Sequence, residues 1–178
     1  MILPRVLGLT TAALGVIAWL AHFQSGLVLS HYDAKAHLVV ARRIFDNLTP
    51  GWQQVGAVWL PLPHLLNMLA VQIDALYRTG LRGSLISILS FGTMAYAIAR
   101  VVILITGSAA GALAAVAIVA LNPNLLYIQS TPMTEPLLLA LTSLYVLWLY
   151  EWIQSNEDRV PARLAWIASG ATLTRYEA

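Results

Sequence analysis

Apolar residues arrive in long blocks along this chain, separated by short polar joints and by one long mixed connection. The first block runs from Val6 to about Leu29, with only Arg5 before it. The second runs from Leu85 to Thr106 and is interrupted only by Arg100, and the third runs from Ala109 to Ile128. The fourth runs from Leu137 to Trp152, and a fifth opens after Pro161 and reaches the last residue, Ala178. Crossing ~30 Å of hydrocarbon takes about 20 residues of helix. The pattern therefore predicts an all-α, polytopic bundle of about five transmembrane spans, near 6–29, 83–106, 109–128, 136–152 and 162–178.

Local features refine these spans. No small-residue cleavage pattern closes the first block, so it reads as a retained anchor rather than a removed leader. Arg100 is expected to snorkel at the far interface. Asn122-Pro123-Asn124 falls inside the third block, where proline removes a backbone donor and predicts a kink. Tyr145, Trp148, Tyr150 and Trp152 crowd the end of the fourth like an interfacial aromatic belt. The fifth holds only 15 residues from Leu164 to Ala178, with Arg175 and Glu177 among the last. This predicts a truncated span and a chain that is the N-terminal part of a longer protein. Spans that alternate put Arg5, Arg100, Arg159 and Arg163 on one side of the membrane. Lys35, Arg42, Arg43, Arg78 and Arg82 fall on the other side, so the bare count does not decide; they sit in a connection of about 55 residues, and long connections weigh less, so the N-terminus is expected in the cytoplasm.

The connection from Ser30 to Arg82 is far longer than an ordinary helix–helix joint. Two stretches in it carry helical periodicity. In the first, Asp33 to Phe45, an apolar stripe adjoins Asp33 and His37 while Lys35, Arg42 and Asp46 lie opposite. In the second, Pro63 to Arg78, the residues His64, Asn67, Asp74 and Arg78 share a polar face against a leucine-rich one. Both are predicted as interfacial amphipathic helices of a long first outer loop, residues 30–82. Between them, Trp52, Trp59 and several Pro and Gly mark an ordered, non-helical crossing.

Composition then narrows the class. Of 178 residues, 59% are hydrophobic and 10% charged. Too few charges remain to cover a water-soluble globule, which excludes a soluble enzyme, a nucleic-acid binder and a disordered chain. The absence of cysteine removes disulfides, thiolate metal sites and cysteine nucleophiles. Abundant Ala and Leu with a single Lys point to a GC-rich bacterial source, and so to the plasma (inner) membrane.

The rare polar groups are the candidates for chemistry. Asp33 follows the first span directly, between His31 and His37. A carboxylate held at the membrane surface can take a proton from a hydroxyl as general base. The same residue equally suits a helix N-cap. His31, Asp33 and His37 are of the donor types that hold zinc or manganese, so a divalent metal stays open as a cofactor. Their spacing matches no strong motif, and no ligand is assigned. Glu135 is expected on the same membrane face as Asp33, as a second acid or as a favourable charge in the first turn of the fourth span. Arg175 and Glu177 are expected towards that face too, along the fifth helix, where a guanidinium suits phosphate. Arg42 is expected to be solvated or to face headgroups.

In order along the chain stand Tyr32-Asp33-Ala34-Lys35-Ala36-His37-Leu38, Trp59-Leu60-Pro61-Leu62-Pro63-His64, Asn122-Pro123, Thr134-Glu135-Pro136, and Leu173-Thr174-Arg175-Tyr176-Glu177-Ala178. In these motifs the chain resembles the N-terminal part of GT-C membrane glycosyltransferases, in the group of the protein O-mannosyltransferases and the lipid A aminoarabinose transferase. The resemblance implies transfer of a sugar from a polyprenyl-phosphate donor to an acceptor hydroxyl of a protein, lipid or glycan on the outer face. It implies Asp33 as catalytic base and Glu135 as a supporting acid. Arg175, Glu177, His37, His64 and Trp59 would contact substrate. Two other readings compete: a transporter or flippase of a lipid-linked or anionic solute, and a small structural membrane subunit.

Overall fold

The computed structural model describes residues 2–55, 59–155 and 157–176. Among them the chain is helical, with no strand. Three helices are long and apolar enough to cross a membrane: α1 (Ile2–Gln24), α5 (Leu81–Thr106) and α8 (Glu135–Ser155). The first-loop helices are α2 (Tyr32–Arg42), α3 (Leu62–Asn67) and α4 (Asp74–Thr79). The shorter bundle helices are α6 (Ala109–Ala120), α7 (Pro123–Ile128) and α9 (Ala162–Thr172).

The central element is α5, which packs along α1 on one side and α8 on another, with α6 against it and α9 against α8. Small residues make its closest crossing. A Cβ placed on Gly92 would sit 2.8 Å from the Gly8 carbonyl oxygen and 2.8 Å from the Ala12 Cβ. Without a hydrophobic drive between helices in lipid, such backbone proximity lets dispersion hold the pair. Phe91, Met94, Ala95 and Ala99 of α5 then build the core with Leu7, Val116 and Ala140 from its neighbours.

The third and fifth predicted spans are both shortened. Asn122 accepts hydrogen bonds from the amides of Asn124 (2.9 Å) and Leu125 (3.2 Å), and Pro123 opens a new helix. The expected kink is thus a full break: α6 stops at Ala120 and α7 restarts at Pro123. Twelve residues rise only ~18 Å, so α6 alone falls short of a bilayer. Likewise α9 ends at Thr172, and Arg175 lies beyond it rather than on it.

The loop also departs from prediction. The expected helix over 63–78 splits into α3, a 3-10 turn at Ala70–Gln72 and α4. Its assumed polar face is split as well: His64 and Asn67 are buried while Asp74 and Arg78 are exposed. The break follows from hydrogen bonding. The Gln72 side chain donates to the Arg42 and Met68 carbonyls (3.2 and 2.8 Å), which binds the segment to α2. Arg42 is not simply solvated. It bonds Asp46 (2.8 Å) and Asp74 (2.6 Å) and lies over the Tyr77 ring, pinning α4 to α2. Gly80 then joins α4 to α5 at φ +69°, a left-handed turn that glycine adopts without a Cβ penalty.

At the opposite end of the bundle Arg100 has a partner and does not merely snorkel. Glu151 lies 3.5 Å from Arg100 and 3.9 Å from Arg163, whose guanidinium stands over Trp148.

Candidate functional site

The helix directions bring three sequence candidates to one end of the bundle. α1 climbs towards the first loop and α8 descends from that level, so Asp33 and Glu135 meet there. α9 climbs back, and the Leu62 amide donates to the Leu173 carbonyl at 3.0 Å, joining the last described segment to the loop. Arg175 is thereby delivered to Glu135: Nη1 donates to Oε1 at 2.8 Å and to the Thr134 hydroxyl at 3.2 Å. Glu177 falls outside the described residues.

A cavity of about 460 Å³ opens at this end. Asp33 and Glu135 both line it, with His31 from the loop, Asn124, Tyr127 and Ile128 from α7, and Met133. Asp33 is not the helix cap. That role belongs to His31, whose Nδ1 accepts the Asp33 amide at 3.2 Å. Asp33 occupies the first turn of α2, where the helix dipole favours a carboxylate, and no ion pair among the described residues engages it. The carboxylate of Asp33 is partly buried and stands in the cavity wall. Glu135 Oε2 is buried without a hydrogen-bond partner, while its other oxygen holds Arg175.

Glu135 owes its place to groups the sequence reading missed. The non-helical segment Gln129–Thr134 enters the bundle end with Gln129, Ser130, Thr131, Pro132 and Thr134 buried. Two hydroxyls of α5 satisfy its backbone. Ser84 donates to the Ser130 carbonyl (3.0 Å), and Ser87 donates to the carbonyls of Thr131 (2.8 Å) and Met133 (3.2 Å). A Cβ on Gly83 would meet the Pro132 Cβ, so the glycine makes room for this close approach. The spacing Gly83-Ser84-x-x-Ser87, small and hydroxyl-bearing on one face of an apolar helix, was the available signal. On the α1 side, His22 Nδ1 lies 3.1 Å from the Ser130 hydroxyl, and the Gln129 amide donates to it at 2.8 Å.

His37, His64 and Trp59 are brought to one another rather than to the cavity wall. His37 Nδ1 and His64 Nε2 share a hydrogen bond of 3.1 Å, and the Trp59 ring lies 4.5 Å from that of His37. Both imidazoles are buried. Burial pushes each down from 6.5 to about 4. For His37, Asp33 opposes the effect and Arg175 adds to it. For His64, His37 and Arg43 add to it and the Leu60 backbone opposes it. At neutral pH the pair is therefore uncharged, one nitrogen donating and the other accepting, and it clamps α3 to α2.

Among the described residues no group of three or more His, Asp or Glu side chains is arranged to hold a metal ion. No known family model, curated protein or solved structure matches the chain. The functional reading accordingly rests on the cavity and its residues.

Proposed function

We propose that this protein is a membrane glycosyltransferase of the GT-C kind, moving a sugar from a polyprenyl-phosphate carrier to an acceptor hydroxyl at the loop end of its bundle. One observation supports this reading above the others: Asp33 and the Arg175-paired Glu135, about 100 residues apart in sequence, line one cavity. The three come from three separate motifs of the resemblance.

The chemistry asks little more of the protein. A lipid phosphate is already a competent leaving group, so the enzyme needs a base, charge stabilisation and positioning. Asp33 takes the proton of the acceptor hydroxyl as its oxygen attacks the anomeric carbon. The bond from that carbon to the carrier phosphate breaks, and the anomeric centre inverts. Glu135 lines the cavity and holds Arg175 beside it, and a guanidinium there offsets charge growing on the departing phosphate. The apolar side chains Ile128 and Met133 line the same cavity and suit the beginning of a prenyl chain.

The test is transfer itself. Membranes holding the full-length protein are supplied with labelled polyprenyl-phosphate sugars and with peptide, lipid or glycan acceptors. Labelled acceptor is the expected product. Flux of solute across proteoliposomes without any transferred sugar would overturn the reading in favour of a transporter.

A further inference from the structure

A second cavity lies far from the first, between α1 and α5, with a volume of about 400 Å³. Its floor is the glycine crossing: a Cβ on Gly8 or Gly92 would come within 2.9 Å of the facing helix, so the backbones touch there and the groove runs along the outside of that contact. Leu9, Ala12, Leu89 and Thr93 form its walls, and Tyr96 and Arg5 complete it. The Thr93 hydroxyl is already spent on the Leu89 carbonyl at 2.8 Å. Both helices are long and apolar enough to cross a membrane, so in a bilayer this groove faces hydrocarbon. From Arg5 to Ala12 it runs ~10 Å along the helix axis.

Its charge is one-sided. Arg5 is exposed, and no carboxylate among the described residues lies within ion-pair distance of it. The first turn of α1 contains no acidic residue, although the positive end of a helix favours one. A guanidinium and a helix start of the same sign thus sit together over an apolar slot. A phospholipid with a net negative headgroup matches both parts: phosphate against Arg5, acyl chain over Gly8 and Gly92.

We propose that this groove is a binding site for one anionic phospholipid, occupied from the leaflet opposite the first loop. The site is independent of the proposed sugar transfer and shares no residue with the Asp33 cavity. Lipid held there lies along the outside of the close crossing of α1 and α5 and covers both helices at once.

The experiment uses the full-length protein in nanodiscs of phosphatidylcholine doped with phosphatidylglycerol, followed by detergent extraction and native mass spectrometry of retained lipid. The wild type is expected to retain one phosphatidylglycerol in preference to phosphatidylcholine. Arg5→Gln should reduce that preference about fivefold, the weight of one basic side chain near an anionic headgroup. Leu9→Trp, at an exposed position of the wall, should block retention by filling the slot. Arg159→Gln, which removes an arginine at the same bundle end but outside the groove, should leave the preference intact. Equal retention of both lipids by the wild type would overturn the proposal. So would an Arg159→Gln effect as large as that of Arg5→Gln, because the preference would then belong to diffuse surface charge. Displacement of phosphatidylglycerol by millimolar inorganic phosphate would likewise overturn it, by exposing a bare anion site.

Discussion

Acidification should undock the first loop before it unfolds the bundle. The perturbation acts on His37 and His64, which are buried, share one hydrogen bond and fall from 6.5 to about 4. The undocked loop returns both imidazoles to water, where they titrate normally. Between these two values the undocked form binds more protons than the docked form, so docking weakens as pH falls. Its stabilisation is complete above ~6.5 and is lost progressively towards ~4. Each pH unit is worth ~1.36 kcal/mol, so the first proton on the pair costs the docked loop about 3 kcal/mol. That is on the order of a hundredfold in the docking equilibrium. The second proton adds to this, because the two rings titrate as a coupled pair. The Arg42–Asp74 tie does not confound the window: hydrogen bonding to Arg42 holds the Asp74 carboxyl below its ordinary value, so it stays ionised until the acid end. Hydrogen exchange of the amides in α2 and α3 measures the effect, corrected for intrinsic rates, from pH 7.5 down to 4. Protection should fall with pH in the wild type and stay flat in a His37→Gln/His64→Gln variant. Undiminished wild-type protection down to pH 4.5 would refute the reasoning.

Two further predictions concern packing. Gly92→Val places a side chain 2.8 Å from Ala12 and the Gly8 carbonyl and should cost about 1–3 kcal/mol by overpacking. Gly170→Ala meets nothing closer than 3.7 Å and should be neutral or stabilising by up to ~1 kcal/mol. Thermal melts in detergent separate the two. Ser87→Ala strands the Thr131 and Met133 carbonyls and should lower stability by about 1–2 kcal/mol. It should also reduce sugar transfer, because those carbonyls lead into Glu135.

Much of the large-scale arrangement was legible in the sequence, and the reason is alternation. Helices that reverse direction along the bundle bring Asp33, Glu135 and Arg175 to one end, and the Arg175–Glu135 bond of 2.8 Å agrees with that, though only three of the five expected spans are long and apolar enough to cross among the described residues. Element ends were less legible. Periodicity over Pro63–Arg78 read as one helix, yet the Gln72 side chain and the Arg42 pairs belong to tertiary structure that no local window contains. Asn122-Pro123 carried a breaking signal, but whether proline kinks or ends a helix depends on the Asn122 cap. Ser84 and Ser87 drew no reading from the sequence, because their partners are backbone carbonyls about 45 residues away. The pairing of His37 with His64 was hidden for the same reason: the two were assigned to separate helices of the loop, and each is satisfied by the other across a loop whose path the sequence did not specify.

The account stands most directly on the carboxylate of Asp33. The decisive measurement compares sugar transfer from a polyprenyl-phosphate donor by the wild type and by Asp33→Asn, in the same membranes at matched abundance. Asparagine keeps the size and the position in the first turn of α2 but cannot take a proton. The account predicts a loss of about a hundredfold or more, as expected for removal of a general base, with membrane insertion and thermal stability unchanged. Transfer by Asp33→Asn at the wild-type rate would contradict it.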